Sequence, residues 1–183
     1  MLLRKSIAID MDQVLADLLQ SELDIFNKRY NKQITKQDLT GKVLEDDYPE
    51  LANEIYEFMN TYEFFRDLPV IEHSQEVIKE LQEHYDIYIA TAAMFAPNSM
   101  IAKYEWLQEH FPFLHPHHFV FCGDKGAVHA DYLIDDSLNQ LESFQGQGIM
   151  FSAPHNEYEN YGVKVTDWLA VRDYFMEKLT TKS

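Results

Sequence analysis

Ile7-Ala8-Ile9-Asp10-Met11-Asp12-Gln13-Val14-Leu15-Ala16-Asp17, close to the N-terminus, sets a pair of acids between two apolar segments. A short apolar run containing β-branched residues follows Arg4 and Lys5 and reads as a buried strand. It ends in two acids two positions apart, after which residues 13–16 return to a mostly apolar composition. Open α/β sheets bind ligands in the crevice outside the carboxyl ends of their strands. Two carboxylates held close there repel each other, and the usual remedy is a bound cation or a shared proton. The stretch therefore predicts a metal-assisted site. An EF-hand is excluded, because Leu15 occupies the position that requires glycine.

Working outward, residues 17–73 carry helical patterning and no convincing strand. Ala16, Leu19, Leu23 and Phe26 recur at near-helical spacing, and a second pattern runs over 34–39. Gly41 and Glu45-Asp46-Asp47-Tyr48-Pro49 mark a break, and Leu51, Ile55, Phe58 and Met59 give another amphipathic helix. This block reads as a helical cap (17–73) inserted into a core made of 1–16 and 74–183. Beyond it the chain alternates. Helices are expected over 74–83, capped by Ser74, over 98–111, and through Trp168, Val171 and Phe175, capped by Thr166. Strands are expected over 86–91, 118–122, 132–136, 148–151 and 163–165. The alternation predicts an α/β fold: a Rossmann-like parallel sheet with helices on both faces.

The composition agrees with a folded core, since 46% of the 183 residues are hydrophobic and 14% aromatic. A net charge of −16 argues against a binder of nucleic acid polymers, whose affinity comes largely from Lys and Arg on phosphates. A small phosphorylated substrate stays compatible, because a local divalent cation attracts an anion against the global field. Cys122 is the only cysteine, which rules out an intramolecular disulfide and reads as a buried small hydrophobe. No apolar segment approaches a membrane span or a signal peptide, so a cytoplasmic protein without a membrane partner is expected. A homodimer is left open.

Three further strand ends carry polar chemistry: Thr91, Lys125 in Gly123-Asp124-Lys125-Gly126, and Asp135-Asp136. A parallel sheet puts all of them on the edge that carries Asp10 and Asp12. Acids for a metal, a hydroxyl, an ammonium and a nucleophilic carboxylate are the parts that phosphoryl transfer needs. In this order the motifs resemble those of the haloacid dehalogenase-like (HAD) phosphatase superfamily. Residues 10–17, Ala90-Thr91-Ala92, Lys103-Tyr104-Glu105-Trp106, Asp124-Lys125 and Leu133-Ile134-Asp135-Asp136 are similar to those of the 5'(3')-deoxyribonucleotidase family in particular. Gln13 stands where that family usually has glycine, and the helical block has no tryptophan.

The resemblance implies a HAD-type fold and a Mg²⁺-dependent phosphomonoester hydrolase acting on deoxyribonucleoside monophosphates. It implies that Asp10 attacks phosphorus and forms an aspartyl-phosphate, and that Asp12 is the acid–base. It implies Mg²⁺ held by Asp10, the Asp12 backbone carbonyl and Asp136, with Asp135 as support or alternative ligand. Thr91, Lys125 and the Ala92 backbone N–H would hold phosphate oxygens, with Lys103 in reach of them. A base-stacking aromatic is implied near Phe64 and Phe65. Two other readings stand beside this one: a HAD phosphatase of another small phosphomonoester, such as a sugar phosphate, and a receiver-type phospho-accepting module. The acid pair after Lys125 and the helical block after the first strand both count against the receiver. His115-Pro116-His117-His118 reads as a loop before a strand rather than a metal site.

Overall fold

The computed structural model describes residues 4–180, so residues 1–3 and 181–183 at the ends of the expected core lie outside it. Six strands pair in parallel: β1 (Ser6–Ile9), β2 (Asp86–Thr91), β3 (Phe119–Phe121), β4 (Tyr132–Asp135), β5 (Gln147–Phe151) and β6 (Lys164–Val165). Their spatial order is β3-β2-β1-β4-β5-β6. The chain builds to one side of β1, then returns to its other side. The order therefore reverses between β1 and β4, and the strand ends there border a crevice.

The helices are α1 (Leu18–Tyr30), α2 (Leu44–Asp47), α3 (Ala52–Met59), α4 (Tyr62–Arg66), α5 (Ser74–Leu81), α6 (Met100–His110), α7 (Leu138–Ser143) and α8 (Trp168–Thr180). Alternation along the strands splits the interior into two layers. Ile7, Ile9, Ile87 and Ile134 pack with α1, α5, α6 and α8. Ala8, Ala90, Leu133 and Met150 pack with Leu141 of α7 and with Phe144. This is the expected sheet with helices on both faces. Among the described residues no helix is long and apolar enough to cross a membrane.

Helices α1 to α4 occupy the interval between β1 and α5, as the patterning of 17–73 predicts. The two connectors of this block are hydrogen-bonded to each other. Asp17 N–H donates to the Pro69 carbonyl and Ile71 N–H to the Leu15 carbonyl, both at 2.8 Å, around an antiparallel bridge between Ala16 and Val70. Each connector also receives a fully buried tryptophan. Trp168 Nε1 donates to the Val14 carbonyl (2.8 Å) and Trp106 Nε1 to the Leu68 carbonyl (2.7 Å).

Some local expectations are corrected. The Ser74 hydroxyl donates to the Ile71 carbonyl (2.7 Å), so it closes the preceding turn instead of capping α5, and His73 takes the cap position with φ +65°. The cap of α8 is Asp167, which accepts from Ala170 N–H (2.9 Å), while the Thr166 hydroxyl bonds Asp167 itself. The helix expected over 98–111 starts later, because Pro97 opens a 3-10 turn that ends at Ser99. The strand expected over 118–122 shrinks to β3, since His118 N–H closes a turn on His115. Cys122 is half-buried, past the end of β3.

Trp168→Phe leaves the Val14 carbonyl unpaired, and urea unfolding should show a loss of about 1–3 kcal/mol. An unchanged midpoint would mean that this bond does not hold the connector.

Candidate active site

Asp10 leaves the end of β1, where its N–H donates to the Ile134 carbonyl of β4 (2.9 Å). Lys125 arrives from the loop after β3. That loop is pinned by one side chain: Gln140 accepts from Lys125 N–H (2.8 Å) and donates to the Gly123 carbonyl (3.1 Å). The Lys125 ammonium, 1% exposed, bridges Asp10 Oδ1 and Asp135 Oδ2. Asp135 Oδ1 also accepts from Ser137 N–H (2.9 Å). Asn156 fixes the backbone of Asp136, because its amide donates to the Asp136 and Phe151 carbonyls, both at 2.8 Å. Asp10, Asp135 and Asp136 are all buried and offer oxygens within 4.8 Å of one another.

The electrostatics follow from this crowding. Burial pushes the Asp10 carboxyl up to about 7; Lys125 opposes the shift, while Asp135 and Asp12 add to it. Burial raises Asp136 well above the usual carboxylate range, helped by Asp10 and Asp135. Lys125 is raised too: burial would lower it, but the two carboxylates outweigh that. One ammonium thus faces three acids, and two of them resist ionisation. Oxygen donors clustered in excess of the charge that balances them suit a hard divalent cation.

A second ammonium serves the other acid. Lys103 of α6, also 1% exposed, donates to Asp12 Oδ2 (2.5 Å) and Thr91 Oγ1 (3.0 Å). Its Nζ lies 4.7 Å from the centroid of the Phe65 ring, a cation–π contact. Asp12 Oδ1 is buried without a hydrogen-bond partner among the described residues, and so is Asn60 Oδ1. Both residues line one cavity of about 370 Å³, together with Phe65, Ala92, Phe95 and Lys103. Two residues of one cavity thus carry a buried acceptor that no described group pairs. Phe64 packs edge-on against Phe65, with ring centroids 5.1 Å apart, and does not line this cavity.

Gln13 has φ +61°, in the left-handed region. Its Oε1 accepts from Leu19 N–H (3.3 Å), one of the free amides that open α1. Asp17 Oδ1 accepts from Gln20 N–H (3.2 Å), so two side chains cap one helix. The chain thus brings together Asp10, Asp12, Thr91, Ala92, Lys103, Lys125, Asp135 and Asp136, with Phe65 on the rim and Phe64 behind it. Gln140 and Asn156 escape sequence reading, because neither belongs to a motif and each acts on a partner 15 to 20 residues away.

A family model described as 5' nucleotidase, deoxy (pyrimidine), cytosolic type C protein matches residues 4–181. A Staphylococcus epidermidis protein provisionally named a 5'(3')-deoxyribonucleotidase is 52% identical over 172 residues, covering 94% of this chain and 96% of its own. The Bacillus subtilis 5'(3')-deoxyribonucleotidase is 43% identical over 166 residues, or 91% and 95% of the two chains. Among solved structures, a Bacillus subtilis protein provisionally classed as a HAD hydrolase, bound to magnesium, matches with a TM-score of 0.59. It is 15% identical and covers 94% of this chain and 99% of that one, which shows a shared fold.

Gln13→Gly and Gln13→Ala separate backbone strain from capping. Alanine keeps the strained φ and loses the cap, so it should cost about 1 kcal/mol in urea unfolding. Glycine loses the cap but relieves roughly 1 kcal/mol of strain, so it should be near neutral. Equal losses in the two variants would mean that φ at this position carries no strain.

Proposed function

The chain belongs to the 5' nucleotidase, deoxy (pyrimidine), cytosolic type C family, and from that premise we propose that it hydrolyses deoxyribonucleoside monophosphates with Mg²⁺. The observation that carries the reading is the pair of buried lysine bridges, Lys125 across Asp10 and Asp135, and Lys103 across Asp12 and Thr91. They give the two acids of one strand end different partners, and therefore different work.

Asp10 attacks phosphorus, the ester P–O bond breaks, and an aspartyl-phosphate forms. Asp12 gives its proton to the leaving oxygen, because an alkoxide is a poor leaving group. It then takes a proton from the water that hydrolyses the aspartyl-phosphate, and phosphate and free Asp10 result. Lys125, Thr91 and the Ala92 backbone N–H hold the phosphate oxygens, and Lys103 orients Asp12 within reach of them. Asp10, Asp136 and the Asp12 carbonyl would hold Mg²⁺, with Asp135 as support, and a cation bound there would offset the charge of the carboxylates and of the substrate. Residues 17–73 act as the cap over this edge, and the leaving alcohol occupies the cavity beside Asp12 and Phe65. With Lys103 on its ring, Phe65 serves first as the wall that positions this lysine; Phe64 backs it.

Phosphate release from dUMP and dTMP with Mg²⁺ should fall about a thousandfold or more in Asp10→Asn. Asp12→Asn should lower it by roughly 10²- to 10⁴-fold. Unchanged turnover in Asp10→Asn would contradict the reading, as would a sugar phosphate preferred over every nucleotide. Independently of activity, Mg²⁺ at a hundred times its Kd should stabilise the wild type by about 2.7 kcal/mol in thermal unfolding. Asp136→Asn should lose most of that stabilisation. An equal shift in both proteins would remove Asp136 from the metal site.

A further inference from the structure

One buried acid has no task in this chemistry. Glu22, on α1, is 6% exposed, and among the described residues no hydrogen-bond donor or cation pairs with it. Glu22 lines a second cavity of about 190 Å³, with Gln13, Leu18, Lys42, Val43 and Glu45 among the other walls. The two cavities share walls. Glu45 and Met59 line both, and Gln13 of the second directly follows Asp12 of the first. A nucleotide whose leaving oxygen faces Asp12 therefore has this second space next to its sugar.

From this geometry, and resting on the nucleotidase reading above, we infer that Glu22 is a specificity-determining residue whose carboxyl hydrogen-bonds the edge of the nucleobase seated in the second cavity. Burial pushes Glu22 up to about 8, with Glu45 adding repulsion, so near pH 7 the group is mostly a neutral acid. A neutral carboxyl offers one donor and one acceptor side by side. Each nucleobase presents an adjacent donor and acceptor on its Watson–Crick edge, away from the sugar. Leu18 and Val43 supply apolar surface for the ring faces. No protein donor competes for this carboxyl, so a ligand edge that pairs with it gains the hydrogen bond on binding. Lys42 does not compete, since its ammonium is held by Asp47 (2.8 and 2.6 Å).

The test compares wild type, Glu22→Gln and Glu22→Leu on dUMP, dTMP, dCMP, dAMP and dGMP, with p-nitrophenyl phosphate as an ester that has no base edge. The quantity read is kcat/KM for each nucleotide divided by that for p-nitrophenyl phosphate. Glu22→Leu should lower this ratio about tenfold or more for every nucleotide that the wild type accepts. Glu22→Gln keeps a donor and an acceptor and should hold the ratio within about threefold of wild type. Glu22→Leu should also melt no lower than wild type, because a largely buried acid gives way to an apolar side chain. An unchanged ratio in Glu22→Leu overturns the inference, and so does a parallel fall on p-nitrophenyl phosphate. If wild type hydrolyses p-nitrophenyl phosphate but no nucleotide, the nucleotidase reading itself fails and takes the inference with it.

Discussion

Four carboxylates, Asp10, Asp12, Asp135 and Asp136, converge on one edge of the sheet, and among the described residues only two buried ammonium groups stand among them. Charges removed from water are costly unless paired and hydrogen-bonded, and losing one member of such a cluster leaves the others exposed to mutual repulsion. Much of the surrounding structure can be understood as meeting this constraint. The β1–β4 switch point places the acids, and the Gln140 clamp sets the loop that delivers Lys125. Asn156 holds the Asp136 backbone, and Ser137 N–H takes up the second oxygen of Asp135. The residual negative charge is what a divalent cation and a phosphate would share.

The helical block meets a different need with equal economy. Its connectors, 15–17 and 69–71, are bridged to each other and anchored by Trp168 and Trp106. The turn that carries Asp12 and Gln13 is therefore the same piece of backbone that launches α1. Gln13 shows the compromise: its backbone sits in a region where glycine is easier, yet its side chain supplies a helix cap that glycine lacks. Phe65 likewise joins the two parts, since it belongs to the block and lies under the ammonium of a core lysine.

Much of this was legible in the chain. The strand run 6–9 and its acids could be read because a buried parallel strand is a short apolar run and its carboxyl end faces the crevice. Thr91, Lys125 and Asp135-Asp136 followed from the same rule, applied to each later strand. Helix caps were harder. Ser74 and Thr166 have cap chemistry, but Ser74 is taken by a turn and Asp167, one residue on, is the better acceptor for α8. Gln140, Asn156 and Glu22 were out of reach for a common reason. Their partners or cavities are set by tertiary packing, and no local periodicity marks an amide that clamps a loop or an acid left unpaired on a cavity wall.

The central claim is that Asp10 becomes covalently phosphorylated on the way to hydrolysis. Acid quenching within milliseconds of mixing the Mg²⁺-loaded protein with dUMP carrying a labelled phosphoryl group tests it directly. Peptide mapping of the quenched protein should then locate the label. A transient acid-stable label should appear on the peptide that contains Asp10, absent in Asp10→Asn and longer-lived in Asp12→Asn. Turnover at the full rate with no label on that peptide, or with label on another residue, would contradict it.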